Sequence, residues 1–273
     1  MDTAKSNGRN GSTPQLTILL PTRNENDNLE LLFPRLDSVL EGIGVSSETI
    51  VVDGDSTDGT LETAKRHCAL AFAQQGAGYG LALKQGFKAA SGEYIVTLDA
   101  DLSHDPKFIQ RLWENREGAD VVVASRYCEG GAAQAPFFRR FLSNVLNWFF
   151  SAGFGVPVTD VSSGFRLYKG DVVRAVEFEG KTYDALEEIL IRIHNEGGRI
   201  IEVPFTYVPR VHGTSNARIF RIGIRLLGTF FRLWRLRVSK QFEGHVPSAA
   251  KAAIDSEPVT ARLKPRPFKT NSD

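Results

Sequence analysis

The sequence predicts an α/β fold with a mostly parallel, doubly wound sheet, on three observations. Short apolar runs alternate with amphipathic segments through the first half of the chain. The runs are apolar along their whole length, as in strands covered on both faces. Polar clusters follow four of these runs directly, where ligands sit in open α/β sheets.

Residues 1–15 are polar, lack an apolar signal core and read as a disordered lead. Leu16–Leu20 is the first strand, and Asn26–Leu40 repeats apolar residues at helical spacing. Thr49–Val52 is the second strand, followed by a helix over Thr60–Lys65. Leu70–Ala73, Tyr94–Leu98 and Val121–Ala124 read as further strands, with Ala82–Ala89 and Phe108–Trp113 as the helices between them. The alternation weakens after Tyr127, where a Gly/Ala loop over Glu129–Pro136 leads into an apolar helix. A helix at Asp184–Asn195 and a strand at Ile200–Tyr207 complete a domain over 16–217, divided near 127/128. Residues 218–242 read as a basic amphipathic helix, and 243–273 as a polar, disordered tail.

Composition narrows the function. Hydrophobic residues make up 42% and charged residues 24%, enough to bury a core. A net charge of +1 argues against a general nucleic-acid binder. Cys68 and Cys128 have no metal-ligand spacing and form no disulfide framework, so a reducing, cytoplasmic compartment is expected. The longest uncharged stretch, Phe141–Thr159, contains Ser143, Asn144, Asn147, Gly153, Gly155 and Pro157. It therefore reads as an interfacial or core helix rather than a membrane span.

The chemistry is expected at the strand ends. Asp99 and Asp101, one residue apart after a strand, offer hard oxygen ligands to Mg²⁺ or Mn²⁺, which can bridge the phosphates of a nucleotide. Taken singly, each cluster has a plainer reading. Asp99 and Asp101 could cap the segment opening at Pro106, Asp53–Thr60 could be a turn with a helix cap, and Arg126 could be a surface ion pair. Convergence of four clusters on one sheet edge favours a site.

In order along the chain, P-T-x-N-E (21–25), V-V-D-G-D-S-T-D-G-T (51–60), L-D-A-D-L-S-H-D-P (98–106), S-R-Y (125–127), S-G-F-R (163–166) and R-V-H-G-T-S-N (210–216) resemble a family 2 glycosyltransferase of the A-type fold. Within that family the chain most resembles the dolichol- and polyprenyl-phosphate mannose synthases. The resemblance implies inverting transfer of mannose from GDP-mannose to a lipid phosphate, with Mg²⁺ or Mn²⁺. It assigns 16–127 to the nucleotide sugar and 128–217 to the acceptor. Pro21, Arg23 and Glu25 then match nucleotide-pocket positions, with Arg23 where a tyrosine is common. Val52 and Asp53-Gly54-Asp55 match the base-contacting turn. Gly54 stands where relatives often carry an aspartate, so Asp53 or Asp55 would have to substitute. Asp99 and Asp101 match the metal and donor carboxylates, Ala100 the backbone between them, and Ser103 a position where some relatives ligate through glutamine. Arg126 matches an arginine near the donor or acceptor phosphates, Arg139 another in the acceptor region, and Arg210 the arginine of an R-x-x-G-x-S-K segment whose closing lysine is Asn216 here. The resemblance thus puts the chemistry on Asp99, Asp101, Arg126 and Arg210.

Chemical reasoning agrees without the family. Departure of a nucleoside diphosphate builds negative charge that a cation and arginines stabilise. A phosphomonoester acceptor has a second pKa of about 6, so it is mostly ionised at neutral pH and needs little help from a base. His104 is expected in a supporting role, and His212 stays undecided. Asp184, Glu187 and Glu188 could supply a base or an acceptor-side contact, but a solvated helix face is the plainer reading of most of them. Two alternatives stay open: a UDP-glucose or other UDP-sugar donor, and a non-catalytic nucleotide-sugar-binding subunit. Nucleotidyl transfer is disfavoured, because Pro21–Glu25 is no glycine-rich triphosphate loop.

Over 218–237, Arg218, Arg221, Arg225, Arg232 and Arg235 form one stripe, and Phe220, Ile222, Leu226, Phe230, Leu233 and Trp234 form an apolar face. Val203–Phe242 contains no acid. This pattern suits peripheral attachment to the cytoplasmic face of an anionic membrane, or docking to a membrane-embedded partner subunit.

Overall fold

The computed structural model describes residues 13–68, 70–134, 136–207 and 226–235. Five strands and four helices come first: β1 Leu16–Thr22, α1 Asn26–Ile43, β2 Ser47–Asp53, α2 Thr60–His67, β3 Leu70–Ala73, α3 Tyr79–Ala89, β4 Tyr94–Thr97, α4 Phe108–Glu114 and β5 Val121–Ser125. Then follow β6 Ala132–Ala133, α5 Phe137–Phe154, β7 Arg166–Lys169, α6 Gly170–Ala175, α7 Asp184–Asn195, β8 Ile200–Pro204, β9 Thr206–Tyr207 and a last helix, α8, over 226–235. Seven strands form one sheet in the order β3-β2-β1-β4-β7-β5-β8, and β6 pairs with β9. All pairings in the large sheet are parallel except those of β7 with β4 and β5.

Leu16, Ile18 and Leu20 of β1 join a core with Leu29, Leu32 and Leu36 of α1 and Ile109 and Leu112 of α4. Leu19 points to the other face, against α3. A Cβ on Gly86 there would fall 2.3 Å from Leu19 Cδ1, so glycine permits the close approach of helix and sheet. Helices therefore cover both faces, as expected of strands with continuous apolar runs. Because β7 reverses direction twice over, β5 runs the same way as β1, β2 and β4. The C-terminal ends of these four strands share one edge of the sheet.

Several expectations change. β7 was not foreseen, since its four residues end in Arg166 and Lys169 and carry no run long enough to read. The single strand expected over Ile200–Tyr207 is split at Phe205, whose N–H ends the pairing with β5 by donating to Ser125 O and whose carbonyl accepts from Ala132 N–H of β6. Pro14 and Gln15 belong to the sheet margin rather than the lead: Gln15 N–H bonds Ser46 O, and Pro14 O accepts from Glu93 N–H. Residues 1–12 lie outside the described residues, as do 218–225 and 236–273 of the expected helix and tail.

The apolar helix is both core and surface. Phe150 and Phe154 of α5 are buried, whereas Phe137, Phe141, Val145 and Trp148 are exposed. Phe230 of α8 packs into the buried side, its ring centroid 4.1 Å from that of Phe149 and 5.0 Å from that of Phe154. Gly153 makes room, for a Cβ there would lie 2.6 Å from the Phe230 ring. Phe230 is thus a packing residue, not part of an exposed apolar face. Among the described residues, no helix is long and apolar enough to cross a membrane. The chain divides into two compact units, 1–230 and 231–273, and only 231–235 of the second are described.

Candidate functional site

The loops after β1 and β2 are laced together by side chain to backbone hydrogen bonds. Asn24 N–H donates to Ser56 Oγ at 2.7 Å, and Thr57 N–H donates back to Asn24 Oδ1 at 2.9 Å. Asn26 N–H donates to Asp58 Oδ2, and Glu25 N–H to Thr60 Oγ1. Asp53 is buried, and its carboxylate accepts from Ser56 N–H, Ser56 Oγ–H and Thr22 Oγ–H. It organises the turn, which was the plainer reading of this stretch. Asp55 is exposed, with a left-handed φ of 63°. Gly54 sits close to the neighbouring strand, where a Cβ would come within 3.1 Å of Thr22 O. Arg23 is exposed, Pro21 and Glu25 are half-buried, and Val52 is buried. Glu25 Oε2 accepts from Asn28 Nδ2–H at 2.6 Å.

Beside these loops lies a cavity of about 250 Å³. Asp99, Asp101, Ser103 and Arg126 all line it. Pro21, Arg23, Glu25, Val52, Asp53, Asp55 and Ala100 do not; they sit on the neighbouring strand ends or, for Ala100, in the core. The loop after β4 owes its shape to local chemistry. Leu98, Ala100 and Leu102 are buried in the core, and Leu102 takes a left-handed φ of 61°. Ser103 N–H donates to Asp101 Oδ1 at 3.0 Å. Asp99 N–H donates to His104 Nδ1 at 3.0 Å, which leaves the proton of a neutral imidazole on Nε2. Burial lowers the His104 pKa, outweighing the opposite pull of Asp99 and Asp101, and the ring stacks on Phe165 at 4.9 Å. His104 thus supports the loop, as expected.

Arg126 does not stand alone. Its Nε and one terminal nitrogen each bond Asp160 at 2.7 Å, and the same terminal nitrogen donates to Ser162 Oγ at 2.9 Å. Burial alone would raise the Asp160 carboxyl, but the adjoining Arg126 charge and its hydrogen bonds hold it below the usual carboxylate range. Asp160 N–H in turn donates to Glu202 Oε1. Sequence reasoning missed Asp160. The signal was its place six residues before Arg166, within the S-G-F-R motif region. Arg166 itself is fully buried and donates to Val161 O, Leu186 O and Tyr168 Oη, strapping β7 to α7.

The expected solvated face on α7 is overturned. Glu188 is fully buried, accepting from Arg192 and from the N–H groups of Glu179 and Gly180. Glu187 is only 4% exposed and lines the cavity, and its Oε2 has no hydrogen-bond partner. Burial raises the Glu187 carboxyl to about 8, with Arg166 opposing only in part. Asp184 accepts from Thr182 and from Thr229 Oγ–H of α8. Two further lining residues were also missed. Tyr79 donates to Asp99 Oδ1 at 3.4 Å, and its ring stacks on Tyr183 at 4.8 Å.

Much of the remaining wall is α5, through Arg140, Leu142, Ser143, Leu146, Asn147 and Phe150. Arg139 lies in the first turn of α5, its side chain outside the described residues. Arg210, His212 and Asn216 lie outside them too. Among the described residues, no three His, Cys, Asp or Glu side chains could enclose a metal ion. Asp99, Asp101 and Ser103 fit a more open site. Ser103 Oγ is buried without a partner, and two carboxylates with a hydroxyl suit Mg²⁺ or Mn²⁺ that keeps positions for water and phosphate.

Comparison with known proteins adds to this geometry. The Glycosyl transferase family 2 profile matches residues 17–176. The chain is 33% identical to the dolichol-phosphate mannosyltransferase of Pyrococcus furiosus over 251 residues, 88% of this chain and 68% of that protein. It is 32% identical to the undecaprenyl-phosphate mannosyltransferase of Micrococcus luteus over 221 residues, 74% of this chain and 87% of that one. Glucosyl-3-phosphoglycerate synthase from Mycobacterium tuberculosis, solved with Mn²⁺, UDP and phosphoglyceric acid, shares the fold at a TM-score of 0.64 and 19% identity, covering 81% of this chain and 78% of that one.

Proposed function

Because the chain belongs to glycosyl transferase family 2 and is a glycosyltransferase, we propose that it transfers mannose from GDP-mannose to a polyprenyl phosphate, with inversion, at the cytoplasmic face of a membrane. The observation that carries this reading is one cavity walled on one side by Asp99 and Asp101 and on the other by an arginine-bearing, largely apolar helix.

The nucleoside lies on the laced loops after β1 and β2, with Pro21, Arg23 and Glu25 along its pocket; Val52 and Ala100 are buried beneath it and support the loops. Asp53 is engaged within its own turn, which leaves the exposed Asp55 to take the contact absent at Gly54. Asp99, Asp101 and Ser103 would hold a divalent cation, which would supply charge neutralisation for a departing diphosphate. Arg139, Arg140 and Arg210 bind the acceptor phosphate, joined by the guanidinium nitrogen of Arg126 that Asp160 leaves unused. Asp160 holds that guanidinium in place. The acceptor is ionised at neutral pH, so no side chain has to take a proton from it. The exposed stripe Phe137, Phe141, Val145 and Trp148 lies on the same helix as the cavity wall. An isoprenoid tail leaving the cavity along α5 meets the membrane there.

A second donor, UDP-glucose, is kept for one reason: Gly54 stands in a base-contacting turn where an aspartate is common in the family. A donor screen decides between them. Purified protein, polyprenyl phosphate and Mg²⁺ or Mn²⁺ are incubated with GDP-mannose or UDP-glucose, and the lipid product is extracted. Radiolabel from GDP-mannose should enter the lipid, and Asp101→Ala should reduce this at least about 10²-fold while the protein stays folded. Transfer from UDP-glucose alone overturns the donor, and transfer only to free sugars or protein overturns the acceptor.

A further inference from the structure

Three buried side-chain atoms in the wall of the cavity have no hydrogen-bond partner: Ser103 Oγ, Asn147 Nδ2 and Glu187 Oε2. Buried polar groups are rarely left unpaired, so their collection on one surface marks places where a ligand completes the bonding. Ser103 belongs with the cation and diphosphate. The other two come from different elements, α5 and α7, and are not engaged in the proposed mechanism.

Their chemistry selects the ligand. Asn147 Oδ1 accepts from Ser162 N–H at 3.2 Å, which fixes the amide so that its NH₂ is the unpaired end. With its carboxyl raised to about 8, Glu187 is mostly protonated at neutral pH and offers both a donor and an acceptor. A phosphate only accepts, and its charge is served by the arginines. A sugar hydroxyl both donates and accepts, so hexose hydroxyls suit both the amide N–H and the carboxyl in this lining. One turn before Glu187, Tyr183 stacks on Tyr79, and both rings line the same cavity. The wall thus pairs polar groups with flat apolar faces, as a pyranose requires.

We propose that Glu187 and Asn147 form the subsite that reads the hydroxyl groups of the transferred hexose, making them specificity residues for the donor sugar. The inference rests on donor binding in this cavity and is independent of the acceptor.

The test uses the full chain with whichever nucleotide hexose the wild type transfers or binds, its single-deoxy analogues and the parent nucleoside diphosphate. Binding is measured by calorimetry, and turnover with polyprenyl phosphate. Wild type should favour the hexose over one deoxy analogue by about 10²-fold or more, since unpaired buried groups penalise the missing hydroxyl. Glu187→Leu should reduce that preference to below about tenfold, with the affinity for the nucleoside diphosphate unchanged. Glu187→Gln keeps the shape and one donor, and should retain an intermediate preference, so selectivity is read even if the leucine variant folds poorly. Asn147→Ala should relax selectivity at a different hydroxyl. Unchanged preference in all three variants overturns the proposal, as does a rise confined to the KM for polyprenyl phosphate. Failure of polyprenyl phosphate to accept sugar would instead overturn the acceptor reading and leave the binding ratio, which contains no acceptor, intact.

Discussion

Arg126 shows how one side chain changes meaning once its partner is known. In the sequence it is an arginine after a strand. In the structure two of its nitrogens are held by Asp160, so its charge is largely balanced and its position fixed. Replacing Asp160 with Asn keeps the shape but leaves a mostly buried guanidinium unpaired, at a cost of about 3 kcal/mol. Urea unfolding at pH 7 should show that loss, and the acceptor KM should rise more than the donor KM. The pH dependence has a definite sign. The Asp160 pKa is lowered by folding, so its stabilisation is complete above the unfolded carboxylate value of about 3.9. It is lost as pH falls through the folded value. The gap between wild type and Asp160→Asn should therefore close in acid; a gap that stays constant from pH 7 to pH 3 would show that the ion pair is not its source.

At the scale of elements, α5 has two duties. One flank lines the cavity through Ser143, Leu146 and Asn147, and another exposes Phe141 and Trp148. Full burial of one such side chain contributes about 1.5–3 kcal/mol. A Phe141→Ser/Trp148→Ser variant should keep its melting temperature within a few degrees, because neither ring belongs to the core. Its partition onto liposomes in a flotation assay should fall about tenfold or more. Equal flotation of variant and wild type would remove α5 from the membrane contact. The element scale is also where sequence reading failed most. The strands were legible because an apolar run followed by polar residues is a local signal. β7 is four residues long and owes its place to pairing with β4 and β5, which lie far away in sequence. Glu187 and Glu188 read as exposed, and Asp160 drew no reading at all, for the same reason. An acid is solvated by default, and only the folded chain supplies Arg126 to Asp160, Arg192 to Glu188 and the apolar cover over Glu187.

For the whole molecule, charge is distributed unevenly along the chain. Val203–Phe242 holds seven arginines and one lysine without an acid, so a net charge of +1 leaves the rest of the chain at −7. Attraction of that basic segment to anionic lipid would be screened within about 8 Å at physiological salt. Flotation with anionic liposomes should thus weaken as salt is raised, leaving an apolar remainder that the α5 variant removes. Flotation insensitive to both salt and anionic lipid would mean that the segment serves another purpose.

The unpaired atoms in the cavity wall carry a consequence for the life of the protein rather than its catalysis. A ligand that completes their bonding binds the native chain and not the unfolded one, so it shifts the folding equilibrium by RT ln(1 + [L]/Kd). At a hundredfold excess over Kd that is about 2.7 kcal/mol. That lowers the fraction of molecules open to proteolysis about 10²-fold. The steady abundance of this enzyme would then follow the supply of its own sugar donor, rising when the donor is plentiful and falling through turnover when it is scarce.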